Sequence, residues 1–168
     1  TDGRDTAACL NLLRHARGSG AATVIDAGSP RPRMDDIARL TDHFVASWNF
    51  VAQAMGARVK PETACRRILE KGPRAAVVTL GENGCCGAVR GGPAFRIPGH
   101  TRQGFIVDTN GAGDVFHAGY IYGLLQGWPE RRCAAFANAA AFLKCGAPGG
   151  RRGMAAVQAI KKLSGIEK

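Results

Sequence analysis

Asp108-Thr109-Asn110-Gly111-Ala112-Gly113-Asp114 runs straight into the apolar stretch 115–125, and the reading of this string decides the fold. Two glycines flank an alanine at the mouth of a helix, and a carboxylate follows at once. N–H groups at a helix start lack intrahelical acceptors and form an anion site, while small residues let a phosphate come close to the backbone. A carboxylate beside a bound phosphate is unfavourable unless it works on an incoming nucleophile. Phosphoryl transfer needs that pairing: donors for the charge on the transferred group, and a base for the attacking hydroxyl. Taken alone, the string also fits an ordinary helix N-terminus, where the macrodipole favours Asp114.

Outward from this point the elements alternate. Asp5 or Thr6 can cap a helix through Arg17, with Cys9, Leu10, Leu12, Leu13 and Ala16 as its apolar face and Gly18 ending it. Residues 22–26 form a short β-branched strand, stopped by Gly28-Ser29-Pro30. A short helix over 34–40, a strand over 43–47 and a helix over 49–55 follow. Pro61 suits the first turn of a helix running to Lys71, with Glu62 favourable there. The apolar run 75–80 suits a parallel strand buried on both faces. A glycine-rich turn leads to a hairpin of 85–89 with 94–97, and 105–108 leads as a strand end into the key loop. Helices over about 112–126, 130–144 and 153–163 complete the chain. The alternation predicts an open α/β sheet flanked by helices.

Composition agrees with a globular protein: 45% hydrophobic and 21% charged residues in a chain of 168. No apolar run is long enough to span a membrane. The six cysteines show no C-x-x-C pair and no zinc spacing, so they read as reduced, partly buried thiols of a cytoplasmic protein. A net charge of +10 raises nucleic-acid binding. The arginine and lysine pairs are scattered, however, and none is interleaved with aromatics. A basic surface equally suits a protein that handles phosphorylated ligands. His15, His43 and His100 are scattered, with no ligand spacing.

The string DTNGAGDVFHAG at 108–119 resembles the C-terminal signature of the ribokinase-like (PfkB) carbohydrate kinases, with Asn110 in place of the usual second threonine. Val78-Thr79-Leu80-Gly81-Glu82-Asn83-Gly84 resembles the family's "VTLGxxG" strand and turn, and Phe136-Ala137-Asn138-Ala139-Ala140-Ala141 its "FANAAA" helix. Order and spacing agree across all three. The resemblance implies a ribokinase-like, Rossmann-type, mostly parallel sheet flanked by helices. It also implies that residues 1–168 are a single partial domain, the C-terminal half, without the lid and most sugar-binding residues. Thr1 in place of Met, in a stretch like an interior strand-to-helix junction, fits a truncated sequence.

The resemblance further implies ATP and Mg²⁺ as cofactors and a small sugar as acceptor. No specific nucleic acid and no membrane are expected as partners, and a complete protein could form a homodimer. It makes Asp114 the catalytic base and the amides of Gly111, Ala112 and Gly113 the anion hole. Thr79, Gly81, Gly84 and Asn138 become nucleotide-binding residues, with Asn138 near the adenine. Asp108 and the Asn110 carbonyl match positions that hold an activating monovalent cation, K⁺, whose further carbonyl ligands would lie near 146–149. One departure stands out. Where many relatives carry Asn-x-x-Glu, this chain has Ser47-Trp48-Asn49-Phe50, so Mg²⁺ would rely on water and phosphates. The alternatives are a non-catalytic nucleotide-binding remnant or regulatory module and, less favoured, a basic nucleic-acid binder.

Overall fold

Asp5 opens the first helix as its composition suggests: its carboxylate accepts the Ala8 N–H at 2.9 Å, and α1 runs over Thr6–Gly18. The structure, a computed structural model, describes residues 1–166. These divide into two compact units, the first comprising 1–80 and 86–95 and the second 81–85 and everything from 96 onward.

In the first unit, α1 is followed by β1 (Val24–Ala27), α2 (Met34–Leu40), β2 (His43–Ser47), α3 (Trp48–Met55), α4 (Pro61–Glu70) and β3 (Ala75–Thr79). Strands β1, β2 and β3 pair in parallel, with Ile25 opposite Phe44 and Phe44 opposite Ala76. β2 and β3 are buried at four consecutive positions, as a strand covered on both faces must be. Their side chains meet Leu10, Leu13, Ile37, Phe50 and Ile68 in one core. Each such large side chain, fully buried, contributes roughly 1.5–3 kcal/mol. Pro61 occupies the first turn of α4, with Glu62 beside it.

β4 (Cys85–Val89) and β5 (Ala94–Ile97) extend the sheet in the order β1-β2-β3-β4-β5. Parallel pairing needs a crossover of about a dozen residues. The connections 80–84 and 90–93 are shorter than that, so the chain reverses at each. Arg90 N–H accordingly bonds the Arg74 carbonyl at 2.8 Å, placing the end of β4 beside the start of β3. The sheet is thus mixed, parallel through β1–β3 with a hairpin at its edge.

The second unit carries α5 (Ala112–Leu125), α6 (Glu130–Lys144) and α7 (Val157–Ser164). Close packing of α5 on α6 rests on two glycines of α5. A Cβ on Gly119 would lie 3.0 Å from Ala137 Cα, and one on Gly123 would lie 2.8 Å from Cys133 Sγ. Tyr122 stacks on Phe136 at 5.0 Å between centroids, and Trp128 meets both edge-on.

Three local expectations shift. β1 begins at Val24 rather than at 22. Thr23 gives its N–H and its hydroxyl to the Asp42 carboxylate, both at 2.8 Å, so only its carbonyl, which accepts the His43 N–H at 2.9 Å, stays with the ladder. Residues 105–108 form no strand, because the N–H groups of Val107 and Asp108 both reach the Cys145 carbonyl, at 2.8 and 3.2 Å. The last helix starts at Val157 rather than 153. Gly153 is packed so tightly that an added Cβ would fall 1.9 Å from the Lys144 carbonyl oxygen.

Candidate functional site

Everything at the head of α5 follows from one backbone conformation. Gly111 is its N-cap at φ +78°, a left-handed position with no side-chain cap. A Cβ there would also stand 3.0 Å from the Gly150 carbonyl oxygen. Ala112 N–H closes onto the Thr109 carbonyl at 3.1 Å. The N–H groups of Gly113 and Asp114 then open the helix without an intrahelical carbonyl to bond. Space around Gly113 is open, whereas within 108–114 the left-handed turn belongs to Gly111. Asp114 is exposed, and no salt bridge ties it down among the described residues. His117, one turn on, places Nδ1 2.8 Å from the Gly113 carbonyl oxygen.

Beside this helix start the second unit holds a mostly apolar cavity of about 460 Å³. Gly81, Glu82 and Gly84 form one wall, Gly99 to Gln103 another, and Thr109, Ala112 and Phe116 the side nearest α5; Asn138, Phe142 and Cys145 come from the α6 region. The turn containing Gly81–Asn83 is a tight 3₁₀ turn pressed against the backbone at 97–99. A Cβ on Gly84 would sit 2.2 Å from the Ile97 carbonyl oxygen, and one on Gly99 only 1.8 Å from that of Glu82. Glycine at both positions is a steric requirement, beyond the demands of a turn. Asn138, 7% exposed, donates its amide to the Pro98 carbonyl at 2.9 Å, so it braces the wall that it lines.

The structure therefore brings Gly81, Gly84, Ala112 and Asn138 to one cavity, with Gly111, Gly113 and Asp114 on the same helix start. Thr79 ends β3 in the first unit, where its hydroxyl bonds the Ala46 carbonyl at 3.4 Å. Asp108 holds its own loop. Its carboxylate accepts the N–H groups of Asn110 (2.8 Å) and Gly149 (2.6 Å), while its carbonyl accepts Lys144 Nζ at 2.9 Å. Those two backbone donors, with the nearby Lys144 charge, hold the Asp108 carboxyl below its ordinary range.

Ser47 and Phe50 receive a separate explanation in the first unit. Ser47 is the N-cap of α3, accepting the Phe50 N–H at 3.0 Å and donating to the Gly28 carbonyl at 2.8 Å. Phe50 is buried against Phe44, with centroids 5.5 Å apart. A carboxylate at position 50 would face that core.

Two residues that sequence reasoning did not select lie near the site, His100, which it set aside, and Lys144, which it did not consider. His100 lines the cavity 5.5 Å from the Phe142 ring, and burial lowers its pKa. Lys144 is fully buried. His43, by contrast, is structural: its Nε2 accepts from Arg74 at 3.1 Å. The six cysteines are buried thiols, none in a disulfide among the described residues. Burial pushes the Cys133 thiol up to about 11 and that of Cys145 upward, which leaves neither poised as a nucleophile.

Residues 2–156 match the sequence pattern of the pfkB family carbohydrate kinases. The chain belongs to this family. As a pfkB family member it is 29% identical over 107 residues to a 5-dehydro-2-deoxygluconokinase of Clostridium perfringens, covering 64% of this chain and 31% of that relative. Its fold matches an Arabidopsis thaliana ribokinase solved with ribose and ATP, with a TM-score of 0.82 at 20% identity, over 93% of this chain and 51% of the other. A candidate ribokinase II from E. coli, solved with ATP and Mg²⁺, gives 0.75 at 22% identity, over 90% and 51%. The expected ribokinase-like α/β fold is thus present. The pfkB chain described here spans about half the length of these solved structures and about a third of the curated relative.

Proposed function

We propose that this chain is the nucleotide-binding and catalytic half of an ATP-dependent carbohydrate kinase, which transfers the γ-phosphoryl of ATP to a sugar hydroxyl. The observation that carries the reading is the head of α5, an uncapped helix start at a left-handed glycine, with an exposed carboxylate in its first turn and an apolar cavity alongside. The cavity has the size and lining that suit a purine ring. The Gly81–Gly84 turn and the Asn138 helix wall supply its close backbone approach, and Thr79 leads into that turn. The Gly111–Gly113 amides receive phosphate oxygens, where fixed dipoles cost no reorganisation as charge develops. Asp114 takes the proton of the attacking hydroxyl as the bond to phosphorus forms. Mg²⁺, when bound, would supply charge neutralisation on the phosphates and, with Phe50 offering no oxygen, would be held mainly by phosphates and water.

The test uses a complete kinase containing this segment, assayed for sugar-dependent ADP release. Asp114→Asn should lower kcat by roughly 10²-fold or more while leaving ATP affinity nearly intact, the pattern for losing a general base. Turnover within a few-fold of the parent would remove Asp114 from the chemistry.

A further inference from the structure

We propose that the buried ammonium of Lys144 takes the place of an activating monovalent cation at the Asp108 loop, so that the loop entering α5 is organised without K⁺. The proposal concerns the loop of the site described above and rests on that reading for its functional meaning.

Lys144 ends α6 with 0% of its surface exposed, an expensive location for a charge unless it is held by hydrogen bonds. Its Nζ donates to the Asp108 carbonyl at 2.9 Å. Both carboxylate oxygens of Asp108 are engaged as well, one by Asn110 N–H and the other by Gly149 N–H. A hard monovalent cation would need oxygens of this kind as ligands. Here the carbonyl already faces a fixed positive charge and the carboxylate faces backbone donors.

The lysine is also anchored. Gly153 packs on its backbone, and a Cβ there would fall 1.9 Å from the Lys144 carbonyl oxygen. The segments that the Asp108 carboxylate joins, at Asn110 and Gly149, touch again where Gly111 meets Gly150. A covalently attached charge at this junction does what a bound cation would do, fixing the carbonyl-rich turn that sets the left-handed Gly111. It does so without an association step. Lys144 is thus a positioning residue, acting on the anion loop through Asp108.

Thermal melts of the whole chain in KCl, NaCl and tetramethylammonium chloride at equal ionic strength test this. They need no bound nucleotide, so a failure of ATP binding would sink the kinase reading and leave this question open to measurement. The parent chain should melt at the same temperature in all three salts, within about 1 °C, whereas a cation bound at a hundred times its Kd would raise Tm by roughly 5–10 °C. Lys144→Ala should melt lower, and K⁺ or NH₄⁺ should restore part of the loss where tetramethylammonium cannot. A merely structural lysine gives no such cation-selective rescue. Lys144→Met, which keeps the stem and fills the space, should melt lower with no rescue. Clear K⁺ stabilisation of the parent would overturn the proposal, as would a Lys144→Ala chain indifferent to cation identity. If Lys144→Ala does not fold, the parent series decides alone.

Discussion

Two helices in this chain begin on the same plan and end up with opposite properties. α3 starts at Ser47, whose hydroxyl accepts the Phe50 N–H and donates to the Gly28 carbonyl, and its first turn sends Phe50 into the core. α5 starts at Gly111 with no side-chain cap, and its first turn leaves Gly113 and Asp114 exposed. Each helix start presents first-turn N–H groups that have no intrahelical acceptor. The difference shows how a side-chain cap occupies an N-terminal donor that an uncapped start leaves available to a ligand. A serine closes α3, while a left-handed glycine keeps α5 open.

The comparison breaks most severely at Gly111. Gly111→Val forces a branched side chain into the left-handed region, which costs roughly 1–2 kcal/mol for an ordinary residue and more for a β-branched one. It also drives Cβ to 3.0 Å from the Gly150 carbonyl oxygen. Urea denaturation should show the midpoint falling at an unchanged m-value. Gly113→Ala, whose Cβ enters open space, should leave the midpoint in place or raise it. If the two variants behave alike, the left-handed cap does not shape this loop.

Ser47→Ala is a smaller change on the closed side. Loss of the cap should cost about 1 kcal/mol of stability, again read from denaturation. Nucleotide affinity should stay where it was, since the freed donor lies in the first unit. A large loss of ATP affinity would mean that the capped start also serves the ligand.

The smallest effect is a pH response on the open side. Burial lowers the pKa of His100 from its ordinary 6.5, so the unfolded chain takes up a proton before the folded one does. Stability should therefore be complete above about pH 6.5 and decline as pH falls below it, until the folded histidine also protonates. His100→Phe should flatten that decline in a series of melts from pH 5 to 8 (roughly the range in which histidine titrates). An identical pH profile in the variant would remove His100 as its source.

Much of this was legible in the sequence, and the exceptions share a cause. Asp5, Pro61 and the apolar run of β3 announced their elements because local rules govern them. The string 108–114 carried the head of α5, since glycine at a left-handed cap and a first-turn carboxylate are local signals too. What stayed hidden depends on partners far along the chain. Thr23 leaves its strand for Asp42, and 105–108 is pulled out of a strand by the Cys145 carbonyl. Nothing in its own stretch of sequence tells that Lys144, at the end of α6, turns its charge inward onto the Asp108 carbonyl. The hydrogen bond of Asn138 to Pro98 and the backbone contact of Gly84 with Ile97 likewise join distant segments.

The most direct measurement of the central claim compares the two helix starts in one sample. An amide-resolved NMR titration of the isotopically labelled chain with ATP and Mg²⁺ would follow residues 48–50 and 111–114 together. The open start should respond: the amides of Gly111, Gly113 and Asp114 should move downfield and saturate with a single affinity, while those of Trp48, Asn49 and Phe50 stay still. Equal shifts at both starts, or shifts confined elsewhere while 111–114 remain unmoved, would contradict the assignment of α5 as the phosphate site.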